Sequence, residues 1–259
     1  MRLRIDRRRF LTGAAVASTT ALGGCFDPLV ANGSQVRGFL EKANDLTYRV
    51  QRLILGADTL APEFAASEIR QPMRPNGTTD PQDDDYRALV TANFDTYRLT
   101  IDGAVSKPTS VSLAELRNMP ARTQITRHDC VEGWSCIAKW TGTPLGPLLD
   151  AAGPSASARY AVFSCFDTLE NGFTGPIRYY ESIDLHDARH PQTILAYGMN
   201  DQPLPVANGA PLRVRVERQL GYKMAKYISR ITLAESLDGF GEGGGGYWED
   251  RGYEWFAGI

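Results

Sequence analysis

The chain has 259 residues, 42% of them hydrophobic and 22% charged, which suits one large or two small globular domains and excludes a disordered chain. Its 28 Lys and Arg nearly balance 30 Asp and Glu, but residues 1–24 hold Arg2, Arg4, Arg7, Arg8 and Arg9 beside the single acid Asp6, so residues 25–259 carry 23 basic against 29 acidic side chains. An acidic body of this kind argues against a nucleic-acid binder, whose affinity rests on basic surface meeting phosphate.

The basic start precedes an uncharged stretch, residues 10–24, rich in Ala, Thr and Gly and shorter than the ~20 residues that cross a bilayer as a helix. Residues 1–24 therefore read as an export signal. Within them Asp6-Arg7-Arg8-Arg9-Phe10-Leu11 resembles the twin-arginine motif, a receptor-read address; an ordinary secretory signal is the plainer alternative. Twin-arginine clients cross already folded, often with a cofactor in place, so the resemblance implies a periplasmic cofactor protein. Leu22-Gly23-Gly24-Cys25 resembles the lipobox of bacterial lipoproteins, with a less usual Gly in its second place. Lipidation of Cys25 would anchor the chain without a spanning segment, whereas cleavage nearby by the general signal peptidase would leave it soluble.

Residues 35–55 place Val36, Phe39, Leu40, Ala43, Leu46, Val50, Leu53 and Ile54 at steps of three and four, which predicts an amphipathic helix packed on the periphery. Residues 25–71 are thus expected to form a linker with this helix. Residues 62–85, rich in Pro, Asn, Gly, Thr and Asp, read as irregular chain. Residues 97–101 alternate with period two and stop at Asp102-Gly103, a strand entering a turn. Ser112 with Glu115 makes a capping box for a short helix, residues 123–127 form a strand leading into Cys130, and Thr143-Pro144 opens a helix that Gly153-Pro154 ends. Residues 160–165, 193–199, 212–216 and 226–233 read as further strands. Strands and short helices interleave without a repeat, so the expected fold class is α+β with mixed sheets. Residues 239–246 contain six Gly, followed by Tyr247, Trp248, Tyr253, Trp255 and Phe256. This segment, residues 239–259, is either a flexible loop with a packed aromatic end or a tail folded over a pocket.

Beyond Cys25 the chain has Cys130, Cys136 and Cys165, an odd number that leaves at least one thiol unpaired within it. Burial or metal coordination would explain a free thiol; so would a nucleophile, for which His128 is the base near in sequence, or a Cys130–Cys136 disulfide that leaves Cys165 single. There is no CxxC pair, and His186 and His190 stand at helical spacing without the HExxH glutamate, so a structural zinc site is disfavoured.

Arg127-His128-Asp129-Cys130-Val131-Glu132-Gly133-Trp134-Ser135, running on through Trp140-x-Gly142-x-Pro144-Leu145, resembles the metal-ligating segment of the sulfite oxidase family of molybdopterin-dependent oxidoreductases, in its periplasmic methionine-sulfoxide reductase branch. Asn208-Gly209-Ala210-Pro211-Leu212-Arg213, then Gly221-Tyr222-Lys223, resembles that family's second signature. The resemblance implies a molybdopterin-binding domain over residues 72–238, with the Cys130 thiolate as the protein's molybdenum ligand beside one molybdopterin; soft sulfur suits such a site. It further implies cofactor contacts from Asn208, Arg213, Gly221, Tyr222 and Lys223 and from Asn76 upstream, with Glu132 as a buried carboxylate near the metal that takes part in proton transfer. Cys165 stands where the branch usually has Thr, as a weak donor to the cofactor or a buried side chain, and Cys136 where an apolar residue is usual. Sulfite oxidases proper carry arginines just after the ligand; Val, Glu, Gly and Trp follow here, so sulfoxide or N-oxide reduction is favoured over sulfite oxidation.

Trp134, Tyr247 and Trp248 are candidate pocket walls. No Cys-x-x-Cys-His haem motif is present, so electrons are expected from a separate protein, with a membrane haem subunit as the family precedent. The competing readings are a cofactor-free binding lipoprotein that keeps the fold and a thiol enzyme using Cys130 as nucleophile.

Overall fold

A computed structural model describes residues 35–56, 58–172 and 175–259; the export signal and Cys25 lie outside these residues. The chain divides into two compact units, residues 1–51 and 52–259. Helix α1, Gln35–Ile54, fills the described part of the first and puts its last turn in the second. It forms where the spacing predicts, but its apolar stripe is not packed away: Phe39 is 71%, Leu46 63% and Leu53 85% exposed. The expectation of a peripheral packing helix is corrected accordingly.

In the second unit the elements are, in order, α2 Asp84–Thr91, β1 Arg98–Gly103, β2 Thr109–Ser112, α3 Leu113–Asn118, β3 Arg122–Cys130, β4 Trp134–Pro144, α4 Leu145–Ala152, β5 Tyr160–Gly172, β6 Gly175–Asp184, α5 Leu185–Ala188, β7 Ile194–Met199, β8 Gln202–Pro203, β9 Arg213–Arg215 and β10 Ile228–Ala234. One sheet has the order β2-β1-β10-β5-β6, with β1 parallel to β10 and its other neighbours antiparallel. The second runs β3-β4-β7-β8, with β9 also on β7, and is antiparallel throughout. Mixed sheets with short helices make this an α+β fold.

Leu99, Ile101, Phe163, Ile231 and Leu233 of the first sheet bury one face against Leu116 of α3 and Leu145 and Leu149 of α4. Each such side chain contributes about 1.5–3 kcal/mol when fully buried. A smaller core gathers Ala138 and Trp140 of β4 with Ile194 and Ala196 of β7.

Local sequence explains most element ends. The amide of Glu115 donates to Ser112 Oγ at 3.1 Å and that of Ser112 to Glu115 Oε2 at 2.7 Å, the expected capping box of α3. Residues 62–85 do not stay irregular to their end, because Asp83 caps α2 by accepting from the Tyr86 amide at 3.1 Å and Asp84 and Asp85 fill its first turn, where acidic side chains favour a helix N-terminus. Thr143 does not cap α4; its hydroxyl donates to the Leu116 carbonyl at 2.8 Å, and Pro144 occupies the cap position. Strands β4 and β6 had no counterpart in the sequence reading.

Candidate active site

Strands β3 and β4 form a hairpin in which Cys130 pairs with Trp134 and His128 with Cys136. Its turn closes through Gly133, whose amide donates to the Cys130 carbonyl at 3.0 Å and whose φ of 81° lies in the left-handed region that glycine adopts without strain. Cys130, the last residue of β3, is thereby half-buried in the wall of a cavity of about 190 Å³. Asn76 and Thr78 enter that wall from the segment ahead of α2, Asp167 from β5, Tyr222 and Lys226 from the stretch between β9 and β10. Trp248 and Tyr253 come from the C-terminal segment, which does fold over a pocket. Of the three expected aromatic walls only Trp248 lines the cavity; Tyr247 is buried and Trp134 lies under Arg74, whose guanidinium is 4.7 Å from the ring centroid.

Burial pushes the Cys130 thiol up and the Glu132 carboxylate adds to this, against the backbone N–H groups of Glu132 and Val131 and the charge of Arg74. The three cysteines are free thiols, so no Cys130–Cys136 disulfide forms. His128 does not serve Cys130 as a base: its ring is fully buried, Arg215 Nη1 lies 3.0 Å from Nδ1, and Nε2 has no hydrogen-bond partner. Burial, then Arg215, Arg213 and Lys226, hold its pKa well below the usual imidazole range. Among the described residues no group of three His, Cys, Asp or Glu is placed to hold a metal by itself.

Glu132 lines the cavity but is not buried. Its side chain is 61% exposed, accepts from Trp134 Nε1 at 2.9 Å and stands 3.9 Å from Arg74, so it sits at the mouth rather than in the interior. Cys165 is buried in the core, behind the wall; on the same strand two residues later, Asp167 is the side chain that reaches the cavity. Lys223 is fully buried with Nζ 2.5 Å from Glu181 Oε1, and also donates to Glu249. Burial pulls its pKa down, but the two carboxylates outweigh that and raise it. Its charge is thus committed to an internal ion cluster and not to the cavity. Gly221 gives close approach to the His128 ring: a Cβ there would lie 2.4 Å from Nε2. Tyr222 keeps its place in the wall, with its hydroxyl donating to the Glu254 carbonyl at 2.6 Å.

The cation that does reach the cavity is Lys226, which the sequence reading passed over. Its Nζ donates to the Thr78 carbonyl and lies 3.4 Å from the Ala207 carbonyl. Burial, with Arg213 beside it, pulls its pKa down to about 7, and burial raises that of Asp167 to about 6. Arg213 is fully buried behind Lys226, donating to the Asn208 carbonyl at 2.9 Å, with its guanidinium 5.1 Å from the Trp140 ring centroid. Burial and then Arg215 bring its pKa down to about 9. Gly209 makes this packing possible: its φ is 115°, and a Cβ would stand 2.6 Å from that of Lys226 and 3.3 Å from that of Arg213.

Asn76 Oδ1, Asp167 Oδ1, Asn208 Nδ2 and Arg213 Nε are buried without a hydrogen-bond partner. An unsatisfied buried polar group costs about 1–3 kcal/mol and calls for a polar ligand; of these four residues Asn76 and Asp167 line the cavity, whereas Asn208 and Arg213 lie outside its lining. The donors Lys226, Arg213 and the Asn208 amide suit an anion such as a phosphate; the acceptors Asn76 and Asp167 suit the ring N–H groups of a pterin. The residues present therefore fit molybdopterin; Lys226 and Asp167 line the cavity, whereas the expected Lys223 and Cys165 do not.

Residues 87–238 match the family described as oxidoreductase molybdopterin binding domain. A protein of Azospira oryzae named as a protein-methionine-sulfoxide reductase subunit, YedZ1, is 36% identical over 253 residues, covering 97% of this chain and 87% of that one. The protein-methionine-sulfoxide reductase catalytic subunits of Xanthomonas campestris pv. campestris and Xanthomonas axonopodis pv. citri are 33% and 32% identical, each over 90% of this chain and 71% of theirs. Among solved structures, the sulfane dehydrogenase SoxCD of Paracoccus pantotrophus aligns with a TM-score of 0.49 at 21% identity, over 55% of this chain and 39% of that one.

Proposed function

Because the chain belongs to the oxidoreductase molybdopterin-binding domain family, we propose that it is a molybdenum–molybdopterin enzyme that reduces a sulfoxide to a sulfide, with Cys130 as the protein's ligand to the metal. The observation that carries this reading is the opening of Cys130, at the end of β3, into a cavity whose lining includes Asn76 and Asp167, each with an unpartnered buried oxygen. When bound, molybdenum–molybdopterin supplies the two-electron redox chemistry. A coordinated thiol is deprotonated outright, so the neutral state that burial favours for free Cys130 gives way on loading.

Lys226 in the cavity wall, with Arg213 and Asn208 behind it, would hold the anionic end of the cofactor. A cation 4 Å from a phosphate oxygen is worth about 4 kcal/mol at an effective dielectric near 20, against at most about 1 kcal/mol for an exposed pair, and the full burial of Arg213 puts it in the first regime. Asn76 and Asp167 would accept from the pterin edge. Sulfoxide reduction takes up two protons as water leaves; Glu132, at the mouth and open to solvent, is the carboxylate placed to pass them. Its charge also disfavours an anion such as sulfite and favours a neutral sulfoxide. Trp248 and Tyr253 exclude water from one side of the cavity.

Electrons come from a separate protein, as expected of a catalytic subunit; the relatives from Azospira and Xanthomonas are themselves named as subunits. A membrane haem protein is the partner we propose, with export by the twin-arginine route and a lipid on Cys25 keeping the chain beside it. Metal analysis of protein matured through its own export route tests the centre. Wild type should hold molybdenum and give a Mo(V) paramagnetic signal, and Cys130→Ser should lose the signal and most dye-linked sulfoxide reduction. A molybdenum-free wild type refutes the reading, as does rapid alkylation of Cys130 in metal-loaded protein.

A further inference from the structure

Helix α1 is built the wrong way round for a helix that packs on a protein. At 3.6 residues per turn its eight apolar side chains, from Val36 to Ile54, fall within an arc of about 140°, and the large ones are all exposed. Asn44, Tyr48 and Gln51, on the other side, are only partly exposed. Single exposed apolar residues are ordinary, but a contiguous stripe along some 30 Å of helix marks a surface that meets something.

Three observations select the occupant. The helix has four basic and two acidic residues; Arg52 pairs with Asp184 and Asp187, which leaves Arg37, Lys42 and Arg49 against Glu41 and Asp45, while the chain from residue 25 onward is acidic, so a negatively charged surface would attract α1 and repel the rest. An apolar stripe of Phe, Leu and Val with Lys and Arg outside it, on a helix of low overall hydrophobicity, is the build of a helix lying in the plane of a membrane interface. No helix among the described residues is long and apolar enough to cross a membrane. Finally, Cys25, the candidate lipidation site, precedes Gln35 by ten residues, a tether of at most ~35 Å. A lipid at Cys25 would therefore hold α1 within reach of the same surface.

We propose that the apolar stripe of α1 is a bilayer-docking surface that lies on anionic lipid headgroups. Only the tether rests on the lipidation of Cys25; the stripe stands without it. The test uses the full-length holoenzyme carrying Cys25→Ser, so that no acyl chain contributes, in flotation with vesicles of phosphatidylethanolamine and phosphatidylglycerol. The protein should float, less so with phosphatidylcholine vesicles or at high salt, and Leu46→Asp with Leu53→Asp should weaken binding at least about tenfold. Dye-linked activity, molybdenum content and the melting temperature should not change, which separates this proposal from the catalytic one. No flotation of the stripe-intact protein, or equal flotation of the double variant, overturns it. So does a dimer in sedimentation that the double variant dissolves, since a second copy would then cover the stripe.

Discussion

Asp167 and Lys226 share one cavity wall and carry opposite penalties of burial. The Asp167 carboxyl, raised from 3.8 to about 6, binds its proton more tightly in the folded than in the unfolded chain. The cost of its charge is absent below the unfolded value and complete above the folded one. By pH 8 that cost is of order 3 kcal/mol. Lys226, brought down to about 7, is by then mostly neutral and returns little attraction. In cofactor-free protein Asp167→Asn should therefore raise the melting temperature at pH 8, with a gain that shrinks as pH falls from 6 toward 4. In loaded protein the gain should vanish, because the unpartnered Oδ1 has found its donor. Thermal melts of both forms across that range decide the matter; a pH-independent effect would mean that Asp167 is not charged in the folded chain.

At the level of elements, two glycines separate backbone freedom from space. Gly133, in the β3–β4 turn, has φ 81° and nothing within 4 Å of a built Cβ; Gly209 has φ 115° and meets Lys226 at 2.6 Å. Gly133→Ala should cost about 1–2 kcal/mol and leave molybdenum content intact, since only the turn conformation is strained. Gly209→Ala should cost more and lower cofactor retention, because Lys226 and Arg213 must move. Denaturant midpoints and metal content of the two variants give the comparison. This contrast also shows where the sequence was readable. The capping box of α3, the turn at Gly103 and the stop at Gly153 are local rules written in adjacent residues, and the Cys130 motif located the cavity. Strand β6 was missed because its pairing partner, not its own alternation, defines it, whereas β4 does alternate, burying Cys136, Ala138 and Trp140 at every second position, and was legible in principle. Lys223 and Lys226 are three residues apart in one turn, and nothing local says which ammonium meets a carboxylate pair contributed by β6 and the C-terminal segment. Asp167 was legible in principle, since period two puts it on the same strand face as Cys165.

For the molecule as a whole, the Lys223 cluster joins regions remote in sequence. Glu181 belongs to β6, Lys223 to the turn before β10, and Glu249 to the C-terminal segment that carries Trp248 and Tyr253 to the cavity. All three are buried, and burial followed by the opposing effects of Lys223 and Glu249 leaves Glu181 well above the ordinary carboxyl range. One ammonium thus faces two carboxyl groups in this buried cluster. Removing the cation strands a buried negative charge, which costs about 3–5 kcal/mol, whereas Glu181→Gln keeps an acceptor for Lys223 and leaves Glu249 to pair with it. We therefore expect Lys223→Met to lower the urea midpoint strongly and Glu181→Gln only slightly. The cluster also makes closure of the cavity depend on the fold of the last twenty residues. Lys223→Met, measured well below its melting temperature, should raise the KM for sulfoxide more than it lowers kcat, because Trp248 and Tyr253 lose their support while Cys130, Arg213 and Lys226 keep theirs. A direct contact between Lys223 and the cofactor would instead lower molybdenum content in proportion to activity, and metal analysis beside the kinetics distinguishes the two roles.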